Sequence, residues 1–436
     1  MCYNKCMTLT AKFKKKFYFV AASYFRFFAN HALKRWHPQI IAITGSVGKT
    51  TMLHLIETQL KNKAHYSHDA NSAFGIAFDL VNLRGITGSK LRWLYLIFAV
   101  PIKSLFVKHD EKYYIVEIDG ERPHETEFLA SWLKPEITLW VSLGRSHAVQ
   151  YEQQIRDGIF ENLDKAITHE FATLPENTKK VIYIDGDVPL MVKATEKILQ
   201  KGKTKADVIK YYKKDLKKYE VAPDGTVFEL KSGLRFKFAQ PMPKDMAIQL
   251  LMLEGLMDYL KVKINTDLTD MTVAPGRSSF FEGKNGLKII DSSYNAHLIS
   301  VKSILEMSKA LPEKEKWLII GDMVEQGFIE GDEHAKLADL IKDAKPEKVI
   351  LVGRRTKKYT YPRLKELNIE AETFADVKPA LAYIEKNTKG GEVLIFKGSQ
   401  YLEWIIEKLL KNPEDAEKLP RREKAAKKRR EKRGLN

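Results

Sequence analysis

Ile40-Ile41-Ala42-Ile43-Thr44-Gly45-Ser46-Val47-Gly48-Lys49-Thr50-Thr51 is the stretch that decides how this chain is read. Its first half is a short β-branched apolar run, the pattern of a strand buried on both faces of a parallel sheet. The run breaks at a glycine turn, and apolar residues then recur at Leu53, Ile56 and Leu60, one face of a helix. A strand, a glycine loop, a Lys-Thr pair and a helix together make a polyphosphate cradle. Backbone N–H groups and the helix N-terminus supply partial positive charge, Lys49 supplies a full one, and the Thr50 hydroxyl can ligate Mg²⁺. Gly45, Ser46, Val47, Gly48, Lys49, Thr50 and Thr51 are therefore the candidate phosphate-binding residues. The commonest spacing of such loops would put glycine where Ile43 stands, so this is a shorter form of the motif. A chance glycine turn would account for Gly45 and Gly48 singly, but not for Gly-Lys-Thr-Thr between a strand and a helix.

Outward from that loop, 436 residues exceed one ordinary core and imply two or three domains. Hydrophobic content of 44% and charged content of 30% fit a globular protein. The two cysteines, Cys2 and Cys6, exclude a disulfide framework and a cysteine-rich zinc site. The formal charge of +17 is uneven. Residues 1–37 carry +8 with no carboxylate, residues 421–436 carry +7, and the 383 residues between carry +2. A near-neutral body argues against a nucleic-acid groove, while the basic ends are candidates for peripheral contact with an anionic membrane.

The N-terminal segment (1–37) reads as a basic aromatic helix, with Phe17, Ala21, Tyr24 and Phe28 at helical spacing and Arg26 interrupting the apolar run. It is too short in uncharged residues to span a bilayer, and packing on the body or lying in a membrane surface fit it equally. Residues 38–273 alternate helices with short strands at Tyr113–Ile118, Ile137–Val141 and Val181–Ile184, a largely parallel sheet. Within them Trp93–Ile102 is uncharged, too short to cross a bilayer, and reads first as a buried helix, with a second surface-dipping segment as the alternative. Residues 203–240, bounded by turn signals, suggest a hairpin of small strands. Ala274-Pro275-Gly276-Arg277 opens a second α/β unit, 274–412, with strands at Lys288–Asp291, Trp317–Ile320, Val349–Val352 and Val393–Phe396. Residues 413–436 read as a solvated basic tail, disordered unless bound.

Chemistry-bearing residues collect at strand ends. Glu117 closes the strand YYIVEI at the carboxyl edge, where open α/β sheets place ligands and where a carboxylate can hold a phosphate-bridging Mg²⁺. His147 follows the strand ITLWV at the same edge. The runs DSSYNAH (291–297) and GDMVEQG (321–327) follow strands of the second unit, which implies a cleft between the two.

These motifs resemble the Mur ligases, most closely the MurF branch, over about residues 38–411. The likeness rests on TGSVGKTT, on NSAFGI (71–76), on VEIDGERPHETEFL with Glu117, and on Gly144 and His147. It continues through APGRSSFFEG with Arg277, DSSYNAH, and GDMVEQG followed by His334. The resemblance implies a P-loop central domain and a Rossmann-like C-terminal domain. It implies ATP-dependent amide-bond formation between a muramyl-peptide carboxylate and an amino acid or dipeptide such as D-Ala-D-Ala, through an acyl phosphate, in cytoplasmic peptidoglycan precursor synthesis. On this analogy Lys49, Glu117, His147 and Arg277 are catalytic. Thr50 and Glu117 hold one Mg²⁺, His147 helps to hold a second, and Arg277, Asn295 and His297 close over the nucleotide.

Three positions depart from the family pattern. The carbamylated lysine that ligates the second Mg²⁺ falls at Ile167, with Lys165 nearby and Asp164 or Glu170 as substitute carboxylates. Only about 37 residues precede the loop strand, so the usual UDP-binding domain is expected to be missing. Pro241–Leu260 lacks the polar residues expected ahead of its helix. The same ligase chemistry on a lipid-linked acceptor, and a non-catalytic ATP-binding scaffold, are the alternative readings. A zinc-ribbon relative of the MurT type would need four cysteines that this chain lacks.

Overall fold

The computed structural model describes residues 9–68, 70–85, 89–399 and 401–435; Cys2 and Cys6 lie outside them. The first sheet is built from β1 (Gln39–Thr44), β2 (Ala64–Tyr66), β3 (Tyr113–Ile118), β4 (Ile137–Trp140), β5 (Val181–Asp185) and β6 (Asp207–Tyr211). All six are parallel, in the order β2-β3-β1-β4-β5-β6. Strand alternation sends successive β1 residues to opposite faces. Ile41 and Ile43 pack with α2 (Lys49–Leu60) and a later helix, Met246–Leu260, on one side. Ile40 and Ala42 pack on the other with α1 (Leu9–Trp36), α3 (Ala73–Asp79), α4 (Lys90–Phe106) and α5 (Glu125–Leu133). Beyond them, α6 (Ala148–Arg156) and α7 (Leu163–Glu176) cover Trp140, Ile182 and Ile184. Register sets Ile43 beside both Glu117 and Leu139. The glycine loop, the end of β3 and the segment after β4 therefore leave the sheet together.

The Lys-rich region forms a three-stranded antiparallel sheet of β7 (Leu216–Ala222), β8 (Gly225–Leu230) and β9 (Arg235–Phe238), one strand more than a hairpin. The second large sheet comprises β10 (Ser279–Glu282), β11 (Lys288–Ser292), β12 (Lys316–Gly321), β13 (Lys348–Val352), β14 (Glu372–Phe374) and β15 (Val393–Lys397). Its order is β10-β11-β15-β12-β13-β14, with only β10 antiparallel. Apolar clusters cover both of its faces, as the parallel arrangement requires.

Two expectations change. The basic tail does not trail into solvent: helix Lys424–Glu431 folds back, and Arg422 and Arg430 each reach Glu407 at 2.7 Å. Like charges in sequence mislead here because Glu403 and Glu407 of helix Leu402–Leu409 supply their partners from a distance. The uncharged run Trp93–Ile102 is helical, but only Leu96, Val100 and Ser104 of α4 are fully covered, and its other faces are exposed.

Candidate active site

The glycine loop is held by close backbone approach. Gly45 has φ 140°, and a Cβ there would lie 2.8 Å from the backbone N and O of Ser142. Gly48 has φ 83°, and a Cβ there would meet the Gln249 side-chain nitrogen at 2.2 Å. Both positions therefore demand glycine. The loop is then stitched to the segment after β4. The Ser46 hydroxyl donates to the Gly144 carbonyl (2.7 Å) and accepts from its N–H (2.8 Å). Ser142 does the same to Val47, at 2.7 and 2.9 Å. Thr51 sits in the first turn of α2.

Lys49 is buried. Its ammonium donates to the Gly45 carbonyl at 2.6 Å and lies 3.3 Å from the Asp119 carboxylate. Thr50 Oγ1 donates to Glu117 Oε2 at 2.8 Å, and the Glu117 backbone N–H is fixed by the Ser67 hydroxyl at 2.9 Å. A hydroxyl and a carboxylate in contact beside a cationic phosphate cradle are the donor set that a hard divalent cation takes. The residues therefore fit both a nucleotide polyphosphate and its Mg²⁺.

A second group lies beside the first: Asp119, Glu121 and His147 present ligand atoms within 4.8 Å of one another. Sequence reasoning named only His147. Period-two alternation past the end of β3 was the available signal, since it puts positions 117 and 119 on one side. Ile167, where the resemblance implies a lysine, is packed in the apolar cluster with α6 and α7. Lys165 points outward to an ion pair with Glu161. Asp164 is clamped by Arg145 at 2.7 and 2.9 Å, and Glu170 accepts from the N–H groups of His124 and Thr126 at 2.7 Å each. Both carboxylates already serve structural donors.

The C-terminal unit meets this edge directly. His147 has φ 52° and its Nδ1 lies 2.6 Å from Glu325 of GDMVEQG. Arg145 reaches Glu333 at 3.2 Å, and Glu152 accepts from the Phe328 N–H at 2.5 Å. The His297 ring stands 5.8 Å from that of His147. Burial, followed by the charges of His147 and Lys397, pushes the His297 imidazole down to about 3, so it is neutral. Arg277 stacks over Tyr294 at 5.0 Å. The Asn295 carbonyl accepts from Lys397 at 2.7 Å. Lys397, which the sequence did not single out, is buried at the end of β15. Its amine is lowered to about 7 by burial, then by the nearby Arg277. Gln249 was also missed; it supplies a polar side chain against the glycine loop from the helix whose approach looked bare.

A P-loop at a parallel sheet edge, facing a second α/β unit, makes a two-unit architecture suited to holding a nucleotide polyphosphate. Residues 276–400 match the family described as "Mur ligase, glutamate ligase domain". It is 24% identical over 385 residues to the UDP-N-acetylmuramoyl-tripeptide--D-alanyl-D-alanine ligase of Bacillus subtilis (strain 168), covering 86% of this chain and 76% of that one. It is 26% identical over 378 residues to the same-named enzyme of Rickettsia prowazekii (strain Madrid E), covering 83% and 75%. The crystal structure of MurF ligase from Thermotoga maritima in complex with ADP superposes with a TM-score of 0.69 at 18% identity, covering 91% of this chain and 84% of that one.

Proposed function

We propose that this chain is an ATP-dependent ligase that joins a muramyl-peptide carboxylate to an amino acid or dipeptide, with D-Ala-D-Ala the first amine to test. The observation that carries the reading is the contact between Thr50 and Glu117 beside Lys49 at the glycine loop. A carboxylate repels nucleophiles, so an amide can form only after its oxygen is made a leaving group. ATP supplies the γ-phosphoryl group to that oxygen, releasing ADP, and the amine then displaces phosphate and loses a proton.

In this reading the loop N–H groups and Lys49 bind the phosphates and neutralise charge that grows during transfer. Thr50 and Glu117 would hold one Mg²⁺, while His147 with Asp119 and Glu121 would hold another, which spreads the phosphate charge. Arg277, Asn295 and His297 would face the nucleotide from the second unit. The His147–Glu325 contact aligns the two halves and so brings amine and activated carboxyl together. ADP and phosphate release from ATP with a muramyl-peptide acceptor and D-Ala-D-Ala, with the product identified by mass, tests the reading. No turnover across a panel of acceptors and amines would refute it.

A lipid-linked acceptor is the second reading, favoured by the apolar faces that α1 and α4 leave exposed. It would place the chain in the cytoplasm with peripheral contact at the inner membrane face. Direct competition between soluble and lipid-linked acceptors separates the two.

A further inference from the structure

A surface helix buries its apolar stripe and shows water a polar one. α4 does not. Leu91, Leu94, Phe98, Ile102 and Leu105 follow one another at spacings of three or four residues, and each is more than half exposed. The opposite stripe, Leu96, Val100 and Ser104, is the one that packs. α1 lies alongside. Tyr24 donates to the Ile97 carbonyl at 2.8 Å, and Phe17, Val20, Tyr24 and Phe27 form a parallel exposed stripe at spacings of three and four. The two stripes make one contiguous apolar face, larger than the isolated exposed side chains expected of any protein surface.

Charge decides what covers it. Residues 1–37 and 80–109 contain no Asp or Glu. Lys34, Lys103 and Lys108 are exposed around the face, and Arg92 lies over the Tyr95 ring at 4.7 Å. Lysine and arginine without any carboxylate, beside Trp, Tyr, Leu and Phe on paired helices, suit the boundary between anionic headgroups and acyl chains. No helix among the described residues is long and apolar enough to cross a membrane, so contact would be interfacial. We propose that the α1–α4 face docks this chain on an anionic lipid bilayer. This deepens the lipid-linked reading by naming the surface, and it moves the membrane contact from the basic C-terminal tail, where Arg421, Arg422 and Arg430 pair with Glu403 and Glu407, to α1 and α4.

Tyr18 of α1 donates to Glu125 at 2.5 Å, and the Arg122 guanidinium sits 4.2 Å over the Tyr18 ring, three residues past Asp119. The packed side of α1 is thus tied to the Arg122–Glu125 segment that follows Asp119.

The test is co-sedimentation of the full chain with vesicles of phosphatidylglycerol and phosphatidylethanolamine, against vesicles of phosphatidylcholine alone. The comparison variant is Leu94→Glu/Phe98→Glu/Leu105→Glu, whose positions are exposed and whose folding is checked by its melting temperature. Wild type should partition onto anionic vesicles, less so at high salt. The triple variant should partition about tenfold less or weaker still, with ADP release from soluble substrates unchanged. A second variant, Lys103→Glu/Lys108→Glu, should lose anionic preference while keeping its fold. Equal partitioning of wild type and triple variant, or no partitioning of wild type, overturns the proposal. So does a wild-type dimer that the triple variant dissociates without any vesicle binding, which would make the face a subunit interface. Because the vesicle assay needs no turnover, its failure is distinct from failure of the ligase reading.

Discussion

Replacing Glu117 by glutamine isolates the charge at the centre of the proposed chemistry. Gln has nearly the same shape, its amide oxygen can still accept from Thr50, and the Ser67 bond to the residue 117 backbone is untouched. Folding stability should stay within about 1 kcal/mol of wild type, as for substitutions that create no cavity and orphan no donor. Cation binding should not survive so well. At an effective dielectric near 20, unit charges about 4 Å apart interact by roughly 4 kcal/mol. Glu117 is almost wholly removed from solvent, so screening is weak. Losing the carboxylate charge therefore costs about 3–4 kcal/mol, or two to three powers of ten in rate at limiting Mg²⁺. Steady-state ADP release across a Mg²⁺ titration should show the Mg²⁺ midpoint raised by roughly 10²–10³ and the rate at limiting Mg²⁺ reduced by the same factor. If Glu117→Gln keeps both within about threefold of wild type, the shared-cation account of Thr50 and Glu117 is wrong.

His147→Ala and Glu325→Ala should each lower kcat by about tenfold, and the double variant should be little worse, giving a coupling energy of roughly 1–2 kcal/mol; strict additivity would show that the 2.6 Å contact aligns nothing. Ile167→Lys, which restores the residue type expected from the family, should lose about 3–5 kcal/mol of stability in urea and gain no turnover, because the side chain sits in an apolar cluster; a more active variant would show that the site can accept a lysine after all. Lys397 carries a pH signature. Its folded value of about 7 lies below the ordinary lysine value of about 10.4, so between those limits the unfolded chain holds a proton the folded chain has released. Stability should rise with pH across that window, and Lys397→Met should flatten the rise; parallel wild-type and variant curves from pH 7 to 10 would contradict the burial argument.

What the sequence determined by itself was local. The β-branched run into Gly45–Thr51, the strands around Glu117 and His147, and the alternation that made both large sheets mostly parallel follow from side-chain periodicity and glycine geometry, which neighbours in the chain express. The phosphate cradle was legible because its glycines, lysine and threonine are contiguous. Tertiary structure decided whatever depends on partners far along the chain. Asp119 and Glu121 join His147 only because β3 and β4 flank β1. Gln249 meets Gly48 across a helix contact, and Lys397 reaches Asn295 across some hundred residues. The basic tail looked solvated because Glu403 and Glu407 are invisible from its own composition. The α1–α4 face could not be called exposed from hydropathy, since an apolar helix is a core helix until packing shows which side has nothing against it.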